Sequence, residues 1–81
     1  MNLLQIDENT KPSWETKDNR FFVIEKIAEP KIILAAVYKV NPFRNDGYVI
    51  YIDSQPVYHT YSLEQASFRL DLILKVDRHF K

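Results

Sequence analysis

Residues 31–40, KIILAAVYKV, are apolar on whichever side they are viewed. Read as a strand, Ile32, Leu34, Ala36, Tyr38 and Val40 point one way and Ile33, Ala35 and Val37 the other, because side chains of an extended chain alternate between faces. Such a strand belongs inside a sheet that is covered on both sides. The constraint is severe for 81 residues without cysteine, since a domain of this size buries a modest share of its surface and no disulfide can compensate. Whatever flanks this strand has to supply two covers.

Its neighbours read as further strands. RFFVIEKI predicts a strand over about residues 20 to 28, with Phe22 and Ile24 alternating against Phe21, Val23 and Ile27, and with a short partner around 14 to 17 across the Asp18-Asn19 turn. The Glu29-Pro30 step ends it, because a residue before proline is pushed toward extended conformations and proline cannot donate to a ladder. GYVIYID predicts another strand over residues 48 to 53. A seven-residue loop with Pro42, Asn45, Asp46 and the chain's one glycine, Gly47, joins it to the strand before. Asp46-Gly47 reads as the bend of that loop, since these residue types tolerate positive φ. A phosphate-cradling loop would need more glycine and a following helix.

Asp53-Ser54-Gln55-Pro56 marks a second turn, and VYHTY a short strand or a strand end leading into a helix. Ser62 and Gln65 make an S-x-x-Q capping box, and residues 63 to 80 contain neither Gly nor Pro. At 100° per residue Leu63, Ala66, Leu70, Ile73, Leu74 and Phe80 form the stripe that packs on the sheet. The expected fold is α+β: a three- to four-stranded, mostly antiparallel β-sheet with one C-terminal α-helix packed on one face. Residues 1–81 form a single domain, with 1–13 as an N-terminal arm.

One helix covers one face, which leaves a surplus of apolar surface. Phe68, Leu72 and Val76, at i, i+4 and i+8, lie on the helix side away from its packing stripe, and the second face of the sheet is equally apolar. The N-terminal arm with Trp14, a second subunit or another protein has to meet that surface. Phe68, Leu72 and Val76 are therefore the expected protein interface, with Phe43 and Arg44 on the long loop as secondary anchors.

Catalysis finds little support. His59 and His79 lie on different elements without a ligand partner at fixed spacing, Asp71 and Asp77 are about 120° apart around the helix, and no serine has a recognisable base. No catalytic residue, metal or cofactor is expected, and the chain reads as a non-enzyme. Eleven Lys+Arg balance eleven Asp+Glu, so no global field attracts a polyanion. MNLLQIDENT lacks the pattern of a signal peptide and no run is long enough to span a membrane, so a cytoplasmic protein without a membrane partner is expected.

A second reading is a small nucleic-acid-binding module. Aromatics interleave with cations in RFF, VYK, PFR and VYHTY, and Lys75, Arg78, His79 and Lys81 gather at the C-terminus. Against it, cations favour the last turn of any helix, where the macrodipole is negative.

The layout, in which Trp14 leads into RFFVIEKI, KIILAAVYKV, GYVIYID and a terminal helix beginning YSLEQA, resembles that of small standalone phage and mobile-element proteins, including host-defence inhibitors of the anti-CRISPR kind. The resemblance implies a cofactor-free viral protein in the host cytoplasm. Such a protein acts by sterically occupying a host protein or ribonucleoprotein complex, often as a homodimer. It carries no functional residue across.

Overall fold

A computed structural model describes the backbone of residues 6–79 and the side chains of residues 6–76. Five strands, β1 (Trp14–Glu15), β2 (Asn19–Ile27), β3 (Ile32–Lys39), β4 (Arg44–Ile52) and β5 (Gln55–Thr60), precede one helix, α1 (Leu63–His79). Each strand pairs antiparallel with the next, giving the order β1-β2-β3-β4-β5. The α+β class and the single C-terminal helix agree with the sequence reading, but the sheet has five strands where three or four were expected. Residues 57–60 of VYHTY are the end of a full edge strand, because Gln55 already pairs with Ile52. The intervening turn is only Asp53-Ser54, both at positive φ (50° and 68°), as a two-residue type I′ hairpin requires.

β3 lies at the centre, as its two-sided apolarity demands. Ile32 and Leu34 on one face are buried with Ile50 under Ala66 and Leu70 of α1, and Ile24, Ile27, Ile52, Tyr58, Ile73 and Leu74 pack around them. Each of the larger buried side chains contributes roughly 1.5–3 kcal/mol. On the other face Ala35, Val37 and Val49 are buried beneath Trp14, Phe21, Ile33 and Tyr51. The chain's own Trp14 thus supplies much of the second cover.

Three bulges adjust the alternation. In β2 the register slips between Val23 and Glu25, with Ile24 as the extra residue. Ile27 therefore joins Phe22 and Ile24 on the helix side, where simple alternation would have placed it with Phe21 and Val23. In β5 Val57 is the extra residue.

The third bulge corrects the reading of Gly47. β4 begins at Arg44, so the connection from β3 is short and Asp46-Gly47 lies within the strand, two residues facing Val37. Gly47 has φ +101°, and a Cβ there would stand 2.6 Å from the Thr60 carbonyl oxygen and 2.7 Å from His59 Nε2. The Asn45 side chain braces the bulge: its Oδ1 accepts from Gly47 N at 3.1 Å, and its Nδ2 donates to the carbonyls of Val37 and Gly47 at 3.2 and 3.3 Å.

The helix start is half of the expected capping box. Gln65 N donates to Ser62 Oγ at 3.3 Å. Ser62 N, which the Gln65 side chain would satisfy in the full motif, donates instead to Thr60 Oγ1 at 3.3 Å.

Candidate functional surfaces

Along the described side chains of α1 the residues divide as the periodicity predicts, while Phe80 of the expected stripe lies outside the described residues. Ala66 and Leu70 are buried, Ile73 and Leu74 half-buried, while Phe68, Leu72 and Val76 are 62%, 38% and 55% exposed. These three form a ridge on the outer side of the helix. Beside it Arg69, Leu72, Ile73 and Val76 line a shallow apolar groove of about 370 Å³. Arg69 also spans toward the sheet, its Cζ lying 4.6 Å from the centre of the Tyr58 ring. The described part of the N-terminal arm stays elsewhere: Ser13 N donates to the Phe21 carbonyl, and Arg20 Nη1 donates to the Glu8 carbonyl at 2.9 Å. Both contacts tie the arm to β2.

The other expected residues scatter. Phe43 is half-buried and stacks on Tyr38 at 4.9 Å, and Tyr38 in turn meets Phe22 edge-on at 5.4 Å. Arg44 is exposed at the start of β4, directly opposite Lys39. Lys75 is exposed on α1; the side chains of Arg78 and His79, and all of Lys81, lie outside the described residues. His59 Nε2 is 3.1 Å from the Asp46 carbonyl oxygen, a bond that requires the Nε2–H form, and the ring meets Tyr61 edge-on at 4.9 Å. Among the described residues no group of three or more His, Asp or Glu is arranged to hold a metal ion. Among the described residues no helix is long and apolar enough to cross a membrane.

The sheet face turned away from α1 carries a second constellation, one the sequence reading did not assemble. The strand registers arrange it in four rows: Asn19, Lys39 and Arg44; Trp14, Phe21 and Val37; Val23, Ala35, Val49 and His59; Lys26, Ile33, Tyr51 and Pro56. Trp14 stacks on Phe21 at 5.0 Å and 9° and meets Tyr51 edge-on at 5.6 Å and 75°. Trp14, Ile33, Tyr51 and Ser54 line a groove of about 270 Å³. Burial pushes the Tyr51 hydroxyl above its ordinary pKa. The alternation that places Lys39 with Val37 was readable from sequence. The position of Lys26 was not, because the bulge at Ile24 reverses the faces beyond it.

Comparison of the chain with protein-family models, with curated proteins and with solved structures finds no match, so what these surfaces do rests on their own chemistry.

Proposed function

We propose that the chain is a non-enzymatic protein-binding module that pairs with a second copy of itself through the outer ridge of α1. The reading is carried by the exposure of Phe68, Leu72 and Val76, three large apolar side chains in one line on a helix whose opposite stripe is already satisfied by the sheet. A ridge with an adjoining groove is self-complementary about a two-fold axis: the ridge of one helix enters the groove of the other, and the reverse holds by symmetry. Removing such side chains from water favours association. The dimer would present its remaining surfaces to a host protein or ribonucleoprotein complex and act by steric occupancy, as the layout resemblance implies.

Leu72 is at the centre of the ridge, so Leu72→Glu is the informative change. Desolvating an unpaired carboxylate opposes assembly, while the outward position of Leu72 spares the fold. Size-exclusion chromatography with light scattering should give a dimer for the parent chain and a folded monomer for Leu72→Glu. A parent chain that is monomeric across the accessible concentration range overturns the pairing.

A further inference from the structure

The proposed pairing leaves the helix-free face of the sheet open, and three observations there point to one class of ligand. The first is aromatic: Trp14, Phe21 and Tyr51 remain half-exposed side by side. The second is shape. The groove of about 270 Å³ over Ile33, lined by Trp14, Tyr51 and Ser54 beside the touching aromatic rings, is smaller than sites that enclose a whole drug-sized ligand and is of a size for one planar ring.

The third is charge. In a chain of zero net charge, three of the four strand-borne cations lie on this face, Lys39 and Arg44 at one end and Lys26 at the other, while Arg20 lies on the opposite face. Lys31 joins the second end, its Nζ donating to Ser54 Oγ at 3.2 Å on the rim of the groove. Lys39 and Arg44 are direct cross-strand partners, an arrangement that destabilises a sheet through like-charge repulsion. Among the described residues the ion pair is Arg20 with Glu15, at 3.6 Å, and neither Lys39, Arg44 nor Lys26 has a carboxylate partner. Asp46 lies in the bulge opposite Val37, Asp18 accepts from Val40 N through its carbonyl and Asp53 N donates to the Lys31 carbonyl, yet none of the three forms an ion pair with these cations. The six residue steps from Ile33 to Lys39 separate the cationic ends by about 20 Å along β3.

We propose that this face is a binding site for single-stranded nucleic acid, in which a base stacks in the groove against Trp14 and Tyr51 while the backbone runs between Lys26 with Lys31 and Lys39 with Arg44. Aromatic platforms bind unpaired bases through their π-faces, and flanking cations track the phosphates. A duplex cannot use the groove, because its bases are already stacked. A protein partner fits less well, since the buried centres of protein interfaces are depleted in lysine and other charges. DNA and RNA single strands share this chemistry.

Trp14 is the chain's one tryptophan, so its fluorescence reports directly on the site. The intact chain is titrated with an oligothymidylate and an oligouridylate of about twelve nucleotides, within the site sizes of single-strand binders. A matched duplex and polyglutamate serve as controls. Saturable quenching by either single strand, with weaker binding of the duplex and of polyglutamate, supports the site, and the stronger arm identifies the backbone it favours. Lys39→Glu/Arg44→Glu should weaken binding at least about tenfold and flatten the salt dependence of log K by about 1.4, or about 0.7 for each lost phosphate contact. Lys75→Glu, on α1, should leave affinity within about twofold, as expected for a cation outside the phosphate path. If the double variant fails to fold, Lys26→Glu at the opposite end should produce the same direction of loss. Absence of quenching by both single strands, equal binding of polyglutamate or duplex, or charge reversal without effect each overturns the proposal.

Discussion

Trp14 and Tyr51 meet edge to face at 5.6 Å although β2 and β3 lie between their strands. The indole packs on the buried patch of Ala35, Val37 and Val49 between them, where Ala35, fully buried in β3, presents only a methyl group. One side chain from a two-residue edge strand thus ties the start of the described chain to the fourth strand.

Trp14→Ala should therefore destabilise the fold well beyond what an edge residue normally costs. The loss should be about 3 kcal/mol, the lower end of the range for removing a large aromatic side chain, because Trp14 is half-exposed. Urea unfolding followed by circular dichroism would measure it. Trp14→Phe, which keeps a ring over the patch of Ala35, Val37 and Val49, should lose clearly less.

Gly47→Ala should cost at least about 2 kcal/mol, because strained positive φ and an overlap with the Thr60 backbone act together. The same overlap involves His59 Nε2, which a smaller residue at 59 would remove. His59→Ala should nevertheless fail to restore the stability of Gly47→Ala, since the Thr60 carbonyl and the φ of +101° remain. Thermal melts of the two single variants and the double variant decide the matter.

Leu70 and Phe68 are two residues apart on α1 but 2% and 62% exposed. Leu70→Ala should cost about 2–5 kcal/mol through a cavity between helix and sheet. Phe68→Ala should change monomer stability by no more than about 0.5 kcal/mol. Its effect belongs on association, so equilibrium unfolding of Phe68→Ala in a Leu72→Glu background should superimpose on that of Leu72→Glu alone.

Two tyrosines set an alkaline limit. Tyr51 is held above its ordinary pKa of 10.0 by burial, and Tyr38 by burial first and the neighbouring Tyr48 second, with a hydrogen bond from Asn45 opposing. Above pH 10 the unfolded chain releases these protons while the folded chain retains them, so unfolding becomes more favourable as pH rises. Stability from these groups is fully present below pH 10 and is lost as pH climbs through the raised folded values. Tyr51→Phe should reduce the alkaline slope of stability, and tyrosinate absorbance during a pH titration should show the late ionisation.

Much of the architecture was legible because it follows from local pattern. The apolar runs, the Ser62 cap and the 3.6-residue stripe of α1 are properties of short segments, and so is the outward ridge of Phe68, Leu72 and Val76. The first residues of the fifth strand escaped because Gln55 and Pro56 resemble turn residues. They enter the sheet only because a two-residue hairpin at Asp53-Ser54 brings them against Ile52 and Tyr51.

The sequence by itself determined the class of fold, the central place of β3 and the surplus of apolar surface, since all three are set by side-chain period and chain length. Tertiary structure alone decided how that surplus is shared. Whether Trp14 covers the sheet or the helix ridge depends on which side of β2 the arm takes, and hydrogen bonds between Ser13 and the β2 backbone, at Phe21 and Val23, settle it. Whether Lys26 joins Lys39 and Arg44 depends on a single extra residue in β2. A bulge reverses every face beyond it, and its placement follows from the energy of the whole ladder, which no window of neighbouring residues contains.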